Sequence, residues 1–184
     1  INEQMPRTRG ESFVPFSRVN GFIATNRPMH SHAPDPESPI EGRIGEIIAD
    51  LVEDGSTLQM GIGAIPDAVL TRLHHKRDLG IHTEMFSDRL VPLVEAGAVT
   101  NKFKTVFPGR IVTAFCVGTQ KTFDFVHDNP FITFAGSDRT NDTAMIRKNP
   151  KVVAINSAIE IDLTGQVCAD SMGHKIYSGI GGQM

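Results

Sequence analysis

One acidic residue is marked out by its setting. The apolar run Leu79-Gly80-Ile81 reads as a strand and leads through His82 and Thr83 to Glu84. In an α/β sheet, ligands collect beyond the carboxyl ends of the strands, so a carboxylate there stands where substrates bind. Held beside an activated acyl group, a carboxylate can act as a covalent nucleophile and split one transfer into two easier steps. Attack on a thioester builds negative charge on the carbonyl oxygen, and that charge needs an oxyanion hole. His82 and Thr83 are expected to orient and hydrogen-bond the carboxylate. A second reading makes Glu84 a first-turn helix carboxylate, stabilised by the positive end of the helix. Taken by itself, the residue fits that plainer role at least as well.

Backbone donors for an oxyanion are available in two glycine turns, Gly61-Ile62-Gly63-Ala64-Ile65-Pro66 and Ser178-Gly179-Ile180-Gly181-Gly182. A single Gly-x-Gly also serves as a tight strand-to-helix connection that needs positive φ. The first turn lacks the third glycine of the dinucleotide fingerprint and has Pro66 nearby, which weighs against a nicotinamide or flavin site. The second turn reads equally as a flexible end. Gly136 to Asp142 and Asn156-Ser157-Ala158 are polar segments at strand ends, suited to lining a pocket or to being ordinary loops. His74-His75 and Lys76-Arg77 close a helix where positive charge suits the dipole. His30-Ser31-His32 has no carboxylate or cysteine support, so no metal site is expected there. Cys116 and Cys168 lie far apart and are expected to be reduced, buried small hydrophobes.

The elements that position these residues follow from periodicity. Residues 1 to 39 are broken by Pro6, Pro15, Pro28, Pro34, Pro36 and Pro39 and read as a connector or the remnant of a preceding domain. Ile40, Ile44, Ile47, Ile48, Leu51 and Val52 fall at helical spacing and predict an amphipathic helix that uses them as its buried face. A strand over Ser56 to Gly61 then leads to a helix begun at Pro66-Asp67. Further strands are predicted at Leu79 to Thr83, Arg110 to Val117, Phe131 to Phe134 and Lys151 to Ile155, with helices at Asp88 to Glu95 and Thr119 to His127. A hairpin is predicted around Thr164-Gly165. This alternation predicts an α/β layered domain over residues 40 to 184, with a largely parallel sheet flanked by helices.

The bulk numbers narrow the partners. With 184 residues and 40% hydrophobic content, the chain can bury one substantial core. A formal charge of -3 from intermixed signs carries no nucleic-acid footprint. No apolar run is long enough to span a bilayer, and the first residues resemble no signal peptide. A cytoplasmic or organelle-matrix protein with a small-molecule partner is expected.

Several ordered stretches together resemble the acetyl-CoA hydrolase/transferase family, a group of CoA-transferases. They are Asn2 to Thr8, Asp54-Gly55-Ser56-Thr57-Leu58-Gln59-Met60-Gly61-Ile62-Gly63, Ile81 to Glu84, Ile155 to Ala158, Gly165-Gln166-Val167 and Ser178 to Gln183. The resemblance implies a CoA-transferase-like domain, truncated at its end, with Glu84 as the nucleophile of a ping-pong reaction through an acyl-glutamyl anhydride and a glutamyl-CoA thioester. It implies that Gly61, Ile62, Gly63, Ala64 and Ile65 form the CoA-binding loop, that Gly181 and Gly182 face it, and that Ile159 adds a CoA contact. It further implies CoA and acyl-CoA as substrates, no permanently bound cofactor, no metal, a small carboxylic acid such as acetate or 4-hydroxybutyrate as acceptor, and a homodimer. His82-Thr83-Glu84 and Gly181-Gly182-Gln183 are most similar to the 4-hydroxybutyrate members. Arg89 departs from the pattern, where a small residue is expected. An acyl-CoA hydrolase and a non-catalytic CoA- or nucleotide-binding module remain as alternatives.

Overall fold

The computed structural model describes residues 1–179. Helix α1 (Pro39–Leu51) begins with Ser38, whose hydroxyl accepts the Glu41 amide at 3.3 Å while Glu41 accepts the Ser38 amide at 2.7 Å. This reciprocal capping box satisfies two donors that a helix start would otherwise leave open. The helix is where the periodicity puts it, but only part of its apolar set is buried. Ile40, Ile47 and Leu51 are exposed, while Gly42, Gly45 and Ala49 are buried. The reason is close approach to helix α2 (Ala64–Leu70): a Cβ on Gly45 would lie 2.9 Å from the Ala68 carbonyl. Small residues bring the two backbones together; Ile48 and Val52 still pack into the core, Ile44 is half-buried, and Ile40, Ile47 and Leu51 are turned outward.

Strand β1 (Thr57–Met60) is the centre of a parallel sheet, flanked by β2 (Gly80–Ile81) and β7 (Val152–Ile155). Strands β3 (Met85–Ser87) and β5 (Phe115–Val117) pair in parallel, as do β4 (Ile111–Thr113) and β6 (Ile132–Phe134). A bridge from His82 to Val112 joins the β2 side to β4. The single strand expected over Arg110 to Val117 is therefore two, divided at Ala114, because its halves pair with different partners. β3, only three residues long, carries no periodicity from which to read it.

Helices α3 (Leu90–Glu95) and α4 (Gln120–Val126) cover this part of the sheet, and Phe86 stacks on Phe125 with centroids 5.7 Å apart. Leu58, Leu70, Leu73, Leu79, Ile81, Leu90, Ile111 and Ile132 are all fully buried in one core. Each such side chain contributes about 1.5–3 kcal/mol relative to exposure. Two short helices, α5 (Ser137–Thr140) and α6 (Thr143–Ile146), replace the expected polar loop. The predicted hairpin is present as β8 (Glu160–Ile161) and β9 (Val167–Cys168), followed by a second, β10 (Ser171–Met172) and β11 (Lys175–Ile176).

The N-terminal segment forms a strap along the sheet edge. The Glu11 amide donates to the Phe134 carbonyl at 2.8 Å, and the Phe134 amide to that of Arg9 at 2.7 Å. No helix among the described residues is long and apolar enough to cross a membrane. Both cysteines are free and half-buried.

Candidate active site

β1 leads by one connection to β2 on one side, while β7 returns on the other, so the strand order reverses beside β1. Such a switch point leaves a crevice at the carboxyl ends of the two strands. The crevice here is a cleft of about 600 Å³ lined by Gln59, Gly61, Ile62, Glu84, Asn156 and Ile159 among others. Six separate stretches of sequence converge on it.

Glu84 does not begin a helix. It lies in a bend between β2 and β3, and α3 starts only at Leu90. Its carbonyl is held by the Ala114 amide at 2.8 Å, the Thr113 hydroxyl at 3.0 Å and the Phe115 amide at 3.1 Å. Among the described residues, its half-exposed carboxylate has no hydrogen-bond or ion-pair partner. The backbone is fixed and the carboxylate lies at the cleft.

His82 and Thr83 do not touch that carboxylate, contrary to the sequence expectation. The Thr83 hydroxyl donates to the Met60 carbonyl and accepts the Met60 amide, both at 3.0 Å, tying Glu84's strand to the end of β1. His82 is buried, with Nε2 3.0 Å from the Thr140 carbonyl and Nδ1 3.5 Å from the Asn149 amide nitrogen. These partners fit the neutral tautomer with the proton on Nε2. Burial lowers its pKa, the nearby Lys104 charge lowers it further, and the Thr140 carbonyl only partly opposes them. Lys104 is itself buried, donating to the Ile81 carbonyl at 2.7 Å and the Arg110 carbonyl at 2.6 Å. Burial brings its pKa down to about 7.

The first glycine turn has two different reasons for its glycines. Gly63 precedes α2 at φ 116°, a conformation that only glycine adopts without strain. Gly61 needs space instead: a Cβ there would lie 2.7 Å from Asn156 Oδ1 and 3.1 Å from the Ile155 carbonyl. Asn156 in turn exchanges hydrogen bonds with Gln59, at 2.9 and 3.3 Å, linking β1 to the segment after β7.

Of the residues expected at the site, Glu84, Gly61, Ile62 and Ile159 line one cleft. Gly63 and Ala64 line a neighbouring cavity that shares Ile62 and Met85 with it. Ile65 lies half-buried in α2 and lines neither. Gly181 and Gly182 lie outside the described residues. Gln59, Phe115 and Tyr177 join the lining unannounced by the sequence reading; for Gln59, its place two residues before Gly61 was the available signal. The Gly136 to Asp142 segment lies away from this cleft.

Asp88, four residues after Glu84, has a different task. It accepts the Thr119 amide at 2.9 Å and the Thr122 hydroxyl at 2.5 Å, capping α4 from another element. Burial pushes its carboxyl up, but the Thr122 and Thr119 hydrogen bonds outweigh it and hold the pKa below the usual range. Arg89 stands at the start of α3, away from the cleft lining, with its Nε buried and unpartnered among the described residues.

Comparison with known proteins places this arrangement in a class. Residues 118–184 match the acetyl-CoA hydrolase/transferase C-terminal domain. The chain is 52% identical over its whole length to a succinyl-CoA:acetate/propanoyl-CoA:succinate CoA transferase of Fasciola hepatica, of which it spans 39%. It is 47% identical, again over its whole length, to a 4-hydroxybutyrate coenzyme A transferase of Clostridium kluyveri, of which it spans 43%. A mutant of RipA, a protein of Yersinia pestis, superposes on 99% of this chain with a TM-score of 0.95 and 40% identity, the chain spanning 42% of it. The fold is that of the CoA-transferases. The chain belongs to the acetyl-CoA hydrolase/transferase family.

Proposed function

We propose that the protein moves CoA between an acyl-CoA and a small carboxylic acid, with Glu84 as covalent nucleophile. One observation carries the reading: a carboxylate without a partner among the described residues, on a fixed backbone, opens into the same cleft as a glycine turn, at a sheet switch point. The names of the relatives support the substrate class.

In the proposed reaction, a Glu84 oxygen attacks the acyl-CoA carbonyl carbon and CoA leaves as the thiolate, giving a mixed anhydride. The thiolate then attacks the glutamyl carbonyl, releasing the first carboxylate and leaving a glutamyl-CoA thioester. The acceptor carboxylate attacks that thioester, forming a second anhydride and freeing the thiolate again. Attack of the thiolate on the acceptor's acyl carbon releases the new acyl-CoA and regenerates the Glu84 carboxylate. The second half mirrors the first with the acceptor's acyl group in place of the donor's: one Glu84 oxygen leaves with the donor acid and one acceptor oxygen replaces it.

In this reading Gly61, Ile62, Gly63, Ala64 and Ile65 belong to the CoA loop, Ile159 adds a contact, and Gly181 and Gly182 complete the oxyanion environment. Residues 1–39 serve as a connector from a preceding domain, and the working unit is a homodimer. The acceptor class is small carboxylates. The motif-level likeness to 4-hydroxybutyrate members is not matched by whole-chain identity, which is higher to the relative named for succinate, acetate and propanoate.

The test is to treat the protein with acyl-CoA and then borohydride. Activity should be lost, and the peptide containing Glu84 should carry the mass change of a reduced thioester. Survival of activity, or an unaltered peptide, would overturn the reading. CoA release that does not depend on an acceptor acid would make the protein a hydrolase instead.

A further inference from the structure

Across Phe115 from Glu84 lies a second cavity, of about 440 Å³, between the N-terminal strap and the junction of β4, β5 and β6. Its lining is mostly apolar, with Cys116, Phe134 and Ala135 from the sheet, Phe123 from α4 and Met29 from the strap, and with Thr8 and Ser12 among its polar residues. Glu11 on its rim is already engaged, pairing with Arg139 and accepting the Gly136 amide at 3.2 Å. An apolar ligand placed here would therefore strand no unpaired charge.

Two observations connect this cavity to the cleft. Phe115 lines both spaces, and the residue is 40% exposed, so it forms a partition that is not packed solid. The amides of Ala114 and Phe115 also hold the Glu84 carbonyl, so the backbone of the cavity wall is hydrogen-bonded to the backbone that carries the carboxylate. When an acyl carbonyl carbon sits at Glu84, a hydrocarbon tail has an apolar space one side chain away. The volume is many times the roughly 30 Å³ that one water occupies.

We infer that this cavity is the subsite for the hydrocarbon tail of the acyl group, with Phe115 as its gate, so that acyl chains of several carbons are accepted. This rests on the acyl-transfer reading of Glu84, but its first test reads occupancy rather than turnover. Cys116, on the cavity wall, is labelled with methyl methanethiosulfonate under mildly alkaline conditions, because burial raises its thiol pKa. Cys168, in the β9 hairpin, serves as the internal control.

Labelling is followed by mass spectrometry with CoA, acetyl-CoA, hexanoyl-CoA or free hexanoate present. The six-carbon probes should slow Cys116 labelling by about tenfold at concentrations about ten times their Kd, as expected for simple occupancy. CoA and acetyl-CoA should leave it unchanged, and Cys168 should not respond. Absence of protection by both six-carbon probes, or equal protection by CoA alone, overturns the subsite. Either result leaves the Glu84 thioester, read separately by its mass, untouched. In turnover, kcat/KM should rise by about fourfold per added methylene, the equivalent of about 0.8 kcal/mol for each one buried. A flat series overturns the inference.

Discussion

The buried joint around His82 and Lys104 and the open cleft around Glu84 are built on one short stretch of backbone. Ile81 gives its carbonyl to Lys104 and its amide to Asn101, at 2.7 and 2.9 Å. His82 is held by Thr140, and Thr83 is locked to both polar groups of Met60. One residue later the pairing stops at the side chain: Glu84 is tied by its carbonyl, while its carboxylate is left without a partner among the described residues. The joint uses its polar groups to fix geometry, and the cleft keeps its polar group available. A nucleophile needs both conditions, since a paired carboxylate is spent and an unanchored one is misplaced.

The largest test of this contrast is Glu84→Gln. Steady-state kinetics should show transfer reduced by about 10³-fold or more, as for loss of a covalent nucleophile. Urea unfolding should show stability within about 0.5 kcal/mol of the parent, because no hydrogen bond or ion pair among the described residues is lost. A large loss of stability would mean that the carboxylate has a structural partner, and the contrast would fail.

Gly61→Ala probes the cleft wall. The added methyl group would meet Asn156 Oδ1 at 2.7 Å, so Asn156 and its partner Gln59 must shift. Displacement of the wall by up to an ångström is expected to lower kcat/KM by about 10²-fold. Unchanged kinetics would show that the wall adapts freely.

Lys104→Met probes the joint through pH. The Lys104 pKa falls from 10.5 unfolded to about 7 folded, so between these values the unfolded chain binds more protons. Stability should therefore rise as pH increases from about 7 toward 10.5, and below 7 the full cost of the buried charge is present. Denaturant midpoints measured across that range should climb for the parent and flatten for Lys104→Met. A parent without the climb would show that the two carbonyls compensate the charge completely.

The smallest effect is expected at Asp88, the paired counterpart of Glu84. Asp88→Asn should cost about 1–2 kcal/mol through the weakened cap on α4. Because the folded carboxyl is held below its unfolded value, its contribution is present above the unfolded pKa and lost as pH falls through the folded one. The variant should lose that part of the acid limb in a thermal melt.

Helix α1, the parallel sheet and the hairpin at Thr164-Gly165 were legible because each rests on local signals: a capping box, apolar runs and a turn residue. The buried face of α1 was legible only in part, at Ile48 and Val52. Hydrophobicity points to Ile40, Ile47 and Leu51, yet the close contact with Ala68 selects Gly42 and Gly45, and that contact depends on a helix begun 13 residues after α1 ends. The partners of His82 and Thr83 were hidden for the same kind of reason. Thr140 is 58 residues from His82, and Met60 is 23 from Thr83.

By itself, then, the sequence determined which residues could do chemistry: a glutamate after an apolar strand, and glycines before a helix. Side-chain type and local backbone preference are properties of short segments, so they can be read from them. Only the tertiary structure decided that Glu84, Gly61 and Asn156 face one cleft while Asp88 caps a helix and His82 is buried beside Lys104. Those roles are set by which strands lie side by side and by which atoms of distant segments reach hydrogen-bonding distance.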